Sequence, residues 1–133
     1  MKCLLDTHAL LWALTDDYHL TEEIRDLIID EKNIIYVSVA SIWEIQLKHS
    51  IYPNFPYSAK EIMNFCQRAG YIFLSIGVES VTEIDNLILK DNEFTNKDPV
   101  DKLLLSQAKV NNMKFLTHDH VFKHYNESCI VHF

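Results

Sequence analysis

Short apolar runs alternate with longer amphipathic stretches along the whole chain. The short runs are rich in β-branched and aromatic residues, which favours strands, whereas the longer stretches repeat apolar residues three and four positions apart, which favours helices. The predicted strands are Lys2–Leu5, Asn33–Val37, Tyr71–Ile76, Met113–Leu116 and Cys129–Phe133. Strands that alternate with helices predict the α/β class, with five strands in one parallel sheet covered by helices on both faces.

Capping residues mark where the helices begin and end. Thr21 precedes two acids and an amphipathic pattern, Ser58 and Glu61 form a capping box, and Gly70 is the expected stop of that helix. The predicted helices are Thr7–Leu14, Glu22–Ile28, Val39–His49, Ala59–Ala69, Val78–Leu89, Pro99–Asn111 and a short one at Val121–Tyr125. The polar run Lys90–Lys97 is expected to connect the fifth helix to the sixth.

Length and composition fit one domain over residues 1–133. A chain of 133 residues with 48% hydrophobic content buries a sizeable core and leaves little room for a second domain. The three cysteines, Cys3, Cys66 and Cys129, are scattered and lack metal-ligand spacing, which argues against a disulfide framework or a structural zinc site and favours the cytoplasm. The N-terminal apolar run is too short for a signal peptide, and no stretch reaches membrane-spanning length, so we expect no membrane association.

The net charge of −7 opposes general adhesion to phosphate backbones, which requires clustered Lys and Arg. A role with nucleic acid would therefore depend on cations or on a locally basic rim. One candidate rim consists of Lys97, Lys102, His118, His120, Lys123 and His124. The same side chains also fit an ordinary solvated surface.

Two acids bracket a proline in the segment Asp98-Pro99-Val100-Asp101. Asp98 fits an N-cap, Pro99 the first helical residue, and Asp101 a favourable acid in the first turn, where free backbone amides and the helix dipole favour negative charge. Capping alone explains the segment. A functional interpretation therefore depends on acids elsewhere in the chain.

Three further acids lie where a ligand site of an α/β sheet is expected. Asp6 and Asp119 follow the first and fourth predicted strands, and Glu44 lies in an apolar stretch of the helix after the second strand. If strands one and four are neighbours, these acids and Asp101 converge at the carboxyl edge of the sheet. Acids gathered without matching cations repel one another, which is tolerable mainly when a divalent metal ion neutralises them. Oxygen ligands suit Mg²⁺ or Mn²⁺, ions that support phosphodiester hydrolysis.

Four segments in order resemble the PIN domain family, specifically the VapC-like toxins of bacterial toxin–antitoxin pairs. The segments are Leu4–Trp12, Ser38–Ile45, Lys97–Leu104 and Leu116–Phe122, and the resemblance extends over essentially the whole chain. It implies a Mg²⁺- or Mn²⁺-dependent endoribonuclease that acts on RNA, a separately encoded antitoxin as partner, and a homodimer.

The resemblance also implies roles for individual residues. It assigns catalysis and metal binding to Asp6, Glu44, Asp101 and Asp119, supporting positions near the site to Thr7, Ser41, Asp98 and Thr117, and candidate RNA contacts to Lys97, Lys102 and His118. The chain departs from the family pattern at two places. Lys97 occupies the usual basic position before the Asp-Pro motif, and His118 stands where an Arg is usual. Both replacements weaken bidentate recognition of phosphate.

Three other readings compete with the nuclease. A haloacid-dehalogenase-like phosphotransferase needs a second acid two residues after the first, and that position is His8. A response-regulator receiver needs an acceptor Asp after the third strand, where the chain has Leu74–Gly77. A non-catalytic interaction module that keeps the acids only as caps remains the main alternative, although the presence of all four motif acids argues against it.

Overall fold

Five parallel strands form one sheet at the centre of the fold. The computed structural model describes every residue from Met1 to Phe133. Its strands are β1 (Lys2–Leu5), β2 (Ile34–Ser38), β3 (Ile72–Leu74), β4 (Lys114–Thr117) and β5 (Ile130–His132). They lie in the order β3-β2-β1-β4-β5, and every neighbouring pair is parallel. The predicted α/β class and five-stranded parallel sheet are therefore confirmed.

Six α-helices and two short 3₁₀ helices connect the strands. The α-helices are α1 (Thr7–Thr15), α2 (Glu22–Ile29), α3 (Val39–Ile51), α4 (Ala59–Ala69), α5 (Val78–Thr82) and α6 (Pro99–Val110), and the 3₁₀ helices are Glu83–Asn86 and His120–His124. None of these helices combines the length and the apolar character that crossing a bilayer requires.

The helix predicted over Val78–Leu89 is shorter than expected. Its α-helical part ends at Thr82, a 3₁₀ turn follows, and the backbone is extended at Leu87. Leu89 then forms an antiparallel bridge with Tyr125. Pairing with a distant segment of the chain thus overrides the local helical spacing, as tertiary contacts commonly do.

Buried apolar side chains form two clusters on opposite faces of the sheet. Along β1, Cys3 and Leu5 belong to the first cluster and Leu4 to the second, as the two-residue period of a strand requires. The first cluster includes buried residues of α1, α2 and α4, and the second includes buried residues of α6. Helices therefore cover both faces of the sheet, as predicted.

The strand order brings the ends of β1 and β4 together. Leu5 pairs with Leu116, so the next residues, Asp6 and Thr117, lie side by side at the carboxyl edge. The Asp6 backbone N–H donates to the Leu116 carbonyl at 3.0 Å. Strands one and four are therefore neighbours, which is the condition on which the convergence of the acids depends.

Gly70 ends α4 in the left-handed region, with φ of +79°. A Cβ added there would meet no atom within 4 Å, so Gly70→Ala tests the backbone alone. We expect it to lower the free energy of unfolding by about 1 kcal/mol, because an L-residue is disfavoured in this conformation. Urea unfolding measures the change.

Gly77→Ala is the matched control. Gly77 has φ of −89°, and its added Cβ would meet only the Glu79 carboxylate, the movable end of a side chain, at 2.9 Å. Gly77 is also the N-cap of the short helix α5, where Ala is less favourable than Gly, so we expect a loss of stability that is smaller than at Gly70. Equal losses in the two variants would contradict the conformational explanation.

Candidate active site

Asp6 is the most buried acid at the carboxyl edge of the sheet, with 5% of its surface exposed. It caps α1: one carboxylate oxygen accepts the Thr7 backbone N–H at 2.7 Å, and the other accepts the Thr117 hydroxyl at 2.7 Å. Burial raises the pKa of Asp6, and these two hydrogen bonds oppose the rise. Asp6 is thus held in one orientation by the first residue of α1 and the last residue of β4.

Hydroxyl groups connect the acids to one another and to the helices. The Thr7 hydroxyl donates to the Ser41 hydroxyl on α3 at 2.9 Å, and both residues are buried. The Thr117 hydroxyl, besides donating to Asp6, accepts the Asp119 backbone N–H at 3.1 Å. The supporting positions predicted at Thr7, Ser41 and Thr117 therefore form one hydrogen-bonded layer beneath the acids.

Asp119 follows β4 and begins the 3₁₀ helix His120–His124. Its carboxylate accepts the Val121 backbone N–H at 3.0 Å, and the side chain is half-buried. Its charge contributes to the raised pKa of both Asp6 and Asp101. The acids that follow β1 and β4 are therefore near neighbours, as expected from the strand order.

Asp98 and Asp101 both lie at the start of α6 but have different surroundings. Asp98 is exposed, and its carboxylate caps the helix by accepting the Val100 and Asp101 backbone N–H groups at 2.9 and 3.3 Å. Asp101 is half-buried, and its carboxylate makes no hydrogen bond or ion pair. The capping role predicted for Asp98 is confirmed, and Asp101 is left to face the other acids.

The pKa of Asp101 is also raised far above its ordinary value. Burial raises it first, and the charges of Asp98, Asp6, Asp119 and Glu44 add to the rise, bringing the pKa of Asp101 to about 8. Glu44 is half-buried on α3, one turn after Ser41. Four acids from separate parts of the chain therefore act on one carboxyl group.

No Lys, Arg or His side chain forms an ion pair with these acids. The four ion pairs of the chain join His19 to Asp17, Arg25 to Asp16, and Lys109 to Glu83 and Glu127, all away from the edge acids. The donor set, carboxylate oxygens with several hydroxyls behind them, suits a hard divalent cation. No three His, Cys, Asp or Glu side chains are close enough to enclose a metal ion, so the carboxylates share an edge without forming a closed cage.

The predicted basic rim is divided rather than continuous. Lys97 is exposed beside Asp98, and Lys102 is half-buried beside Asp101. The His118 ring nitrogen Nδ1 is hydrogen-bonded to the Phe133 carbonyl. His124 stacks on Phe94, with ring centroids 3.8 Å apart. Only Lys97 and Lys102 thus keep free side chains at the start of α6, and His118 is turned toward the end of the chain.

Two buried amides that sequence analysis missed position α6. The Asn96 side chain donates to the Tyr125 hydroxyl at 3.2 Å and accepts the Asp98 backbone N–H at 3.0 Å. Gln107 accepts the Ser38 hydroxyl at 2.5 Å. Asn side chains commonly accept the backbone N–H two residues later in an Asx turn, so the contact between Asn96 and Asp98 could have been predicted from the sequence. The role of Gln107 could not have been predicted in this way, because its partner Ser38 lies 69 positions away in the sequence.

Comparison with known proteins identifies relatives of the fold. A model of the PIN domain matches residues 3–128. VapBC2 from Rickettsia felis, solved bound to a DNA fragment from its promoter, is similar with a TM-score of 0.66 and 16% identity over 92% of each chain. A toxin–antitoxin complex from Klebsiella pneumoniae is similar with a TM-score of 0.61 and 16% identity, covering 97% of this chain and 95% of the other. No curated protein matches the sequence significantly.

Asp101→Asn is expected to stabilise the protein without divalent cations at pH 8. With a pKa of about 8 in the fold and an ordinary value of 3.8, Asp101 holds a proton in the folded state that the unfolded chain releases, so its contribution to stability falls as pH rises between these values. The variant loses that dependence. Its melting temperature should exceed that of the wild type at pH 8, and the difference should shrink toward pH 4.

Asp98→Asn and Asp98→Ala are the controls at the same helix start. Asp98→Asn keeps a capping oxygen and should change stability little, whereas Asp98→Ala should cost about 0.5–2 kcal/mol. A gain from Asp101→Asn that does not vary with pH would contradict the electrostatic explanation.

Proposed function

This chain belongs to the PIN domain family, and from that premise we propose that it is a Mg²⁺- or Mn²⁺-dependent endoribonuclease, the VapC-like toxin of a toxin–antitoxin pair. The observation that carries the proposal is the convergence of acids without an ion-pair partner at the carboxyl edge, where burial and the charges of four other acids raise the pKa of Asp101. Such an arrangement costs stability in the isolated chain. A bound divalent cation would offset this loss of stability and would supply the chemistry of phosphodiester hydrolysis.

The proposal assigns the chain's own residues to distinct tasks. Asp6, Asp101 and Asp119 would be the main metal ligands, and Glu44 would bind directly or through water. When bound, the cation lowers the pKa of a water molecule and balances charge on the phosphate. Thr117 and Thr7 hold the Asp6 carboxylate in place through hydrogen bonds of 2.7 Å. The Val121 N–H occupies one oxygen of Asp119 and leaves the other free.

The substrate contacts would come from the side chains that flank the start of α6. Lys97 and Lys102 adjoin Asp98 and Asp101 and provide positive charge for a phosphate next to the acids. His118 has one ring nitrogen bonded to the Phe133 carbonyl, so only Nε2 remains for RNA. These phosphate contacts are weak for an enzyme that acts on RNA, because the chain as a whole carries a net charge of −7.

The alternative is a non-catalytic interaction module with the same fold. One observation favours it: no three side chains enclose a metal position. The module requires the acids only as caps, a role that Asp6, Asp98 and Asp119 do fill. The interaction module does not explain why the Asp101 carboxyl group is half-buried and unpaired.

The nuclease proposal predicts cleavage of RNA that requires Mg²⁺ or Mn²⁺ and stops on addition of EDTA. Asp101→Asn should reduce the rate roughly a thousandfold or more, because a ligand charge is worth several kcal/mol of transition-state stabilisation. Asp98→Asn should cleave at nearly the wild-type rate. Gel analysis of a labelled RNA, with melting temperatures from the same preparations, makes the comparison.

The outcomes separate the two functions. Cleavage that survives both EDTA and Asp101→Asn would indicate a contaminating nuclease or another mechanism. If Asp98→Asn abolishes cleavage and Asp101→Asn does not, the ligand assignment is reversed. A folded wild type that cleaves no RNA and binds no Mn²⁺ would favour the interaction module.

A separately encoded antitoxin is the proposed protein partner. An apolar cleft of about 370 Å³ lies beside the acids, lined by Val39, Ala40, Trp43, Ile76, Pro99, Val100 and Leu103. Trp43 is 56% exposed there and adjoins Glu44. A segment with apolar and basic side chains would fill this cleft and balance the acids at the same time, which is why we expect the antitoxin tail to cross it.

A small protein encoded next to this chain should therefore co-purify with it and suppress its cleavage of RNA. Trp43→Ala should weaken the complex about 10-fold or more, because exposed aromatic anchors contribute strongly to interfaces. Ile51→Ala, which shortens a 66% exposed side chain at the far end of α3, is the control. Cleavage that no adjacent gene product suppresses would count against the pairing.

The homodimer and the cytoplasmic location are also part of the proposal. Exposed apolar side chains on α3 and α5, among them Leu47, Val78 and Val81, offer a surface for a second copy. All three cysteines are free, and two of them are buried. Free thiols suit a reducing compartment.

A further inference from the structure

A column of stacked rings begins beside the acids and ends at an exposed tyrosine. His8 stacks on Trp12 with centroids 5.9 Å apart, Trp12 on His19 at 4.8 Å, and His19 on Tyr18 at 4.1 Å. The interplanar angles are 27°, 15° and 29°. Each ring is therefore tilted by no more than 29° from the ring next to it, so flat aromatic faces follow one another along the loop and α1.

The column is continuous with the candidate active site. His8 lies two residues after Asp6, close enough for its charge to oppose the rise in the Asp6 pKa. His118, which adjoins Asp119, meets Trp12 edge-on at 5.4 Å. A strand that leaves the acids along α1 would therefore pass over these rings.

Hydrogen bonds constrain the loop that carries Tyr18 and His19. Asp16 adopts φ of +51° after the end of α1, and the Arg25 guanidinium donates to its carboxylate at 2.9 Å. The Asp17 carboxylate accepts the His19 backbone N–H at 2.9 Å and contacts the His19 ring nitrogen Nδ1 at 2.6 Å. The His19 ring, on which Tyr18 stacks, is thus oriented by its own loop, and such orientation lowers the entropy lost on binding.

Tyr18 contributes little to the fold itself. Its side chain is 85% exposed, and its only ring contact is the stack on His19. One face of the ring is covered by that stack, and the other is open to solvent. A large aromatic ring held in this way by a constrained loop is suited to receive another flat group.

We propose that this column, defined as His8, Trp12, His19 and Tyr18, is a binding surface for single-stranded RNA, with one unpaired base stacked on the open face of Tyr18. The inference rests on the proposed nuclease function and names the form of its substrate. Stacking needs no positive charge, so it supplies affinity in a chain whose net charge of −7 denies it a broad phosphate-binding surface. Base-paired RNA has no free base to offer, so duplexes should not use the surface.

Tyr18→Ala tests the proposal in the Asp101→Asn background, in which RNA is bound without being cleaved. The probe is a short fluorescein-labelled single-stranded RNA of mixed sequence, and anisotropy gives Kd. We expect Tyr18→Ala to raise Kd about 5- to 100-fold, the loss of one stacked base, and Tyr18→Phe to retain the parental value. In otherwise wild-type protein, Tyr18→Ala should raise KM and leave kcat unchanged.

Tyr52→Ala is the matched control, because Tyr52 is also exposed, at 59%, but lies beyond the far end of α3 from the acids. It should bind RNA with the parental Kd. The inference is overturned if Tyr18→Ala leaves Kd unchanged, if it weakens duplex RNA equally, or if it weakens only the antitoxin complex.

The result is independent of whether the chain cleaves RNA. Binding that depends on Tyr18 in a chain without metal-dependent cleavage would uphold the surface and reject the nuclease. Metal-dependent cleavage with KM unaffected by Tyr18→Ala would uphold the nuclease and reject the surface.

Discussion

The hydrogen bond from the Thr117 hydroxyl to the Asp6 carboxylate joins the ends of β4 and β1. It forms only in the observed register of these two strands, in which Leu5 pairs with Leu116, and the positions of the acids at the carboxyl edge depend on that register. A shift of one residue in either strand would reverse which side chains face each cluster of the core. It would also move Asp6 away from Asp119. The packing of the two apolar clusters therefore fixes the distance between acids that do not themselves pack.

Charge repulsion at this edge is contained by local backbone geometry. Asp6, Asp98 and Asp119 each cap a helix, so each carboxylate is held by backbone N–H groups that would otherwise lack partners. Asp101 has no such partner, and burial together with the charges of the neighbouring acids raises its pKa to about 8. The folding of the chain thus assembles most of the charged edge through interactions that stabilise helices, and leaves one carboxyl group, that of Asp101, without a hydrogen bond.

Local patterns in the sequence predicted much of this arrangement. The alternation of strands and helices and the caps at Asp98 and Ser58 depend on neighbouring residues, and they agree with the structure. The predicted end of the helix that begins at Val78 was wrong, because the bridge between Leu89 and Tyr125 joins segments that are distant in the sequence. The stack of Tyr18, His19 and Trp12 was missed for a related reason: a loop that folds back over α1 brings the rings together, and no periodic spacing signals such a return.

Trp12 and Trp43 are the only tryptophans of the chain, and they stand on either side of the acidic edge. Trp12 is locked among the rings that follow β1, whereas Trp43 faces solvent next to Glu44 on α3. One indole is therefore half-buried among other rings, and the other is exposed to solvent. The protein carries two native optical reporters with different environments, so events on the two sides of the edge are distinguishable by fluorescence without an attached label.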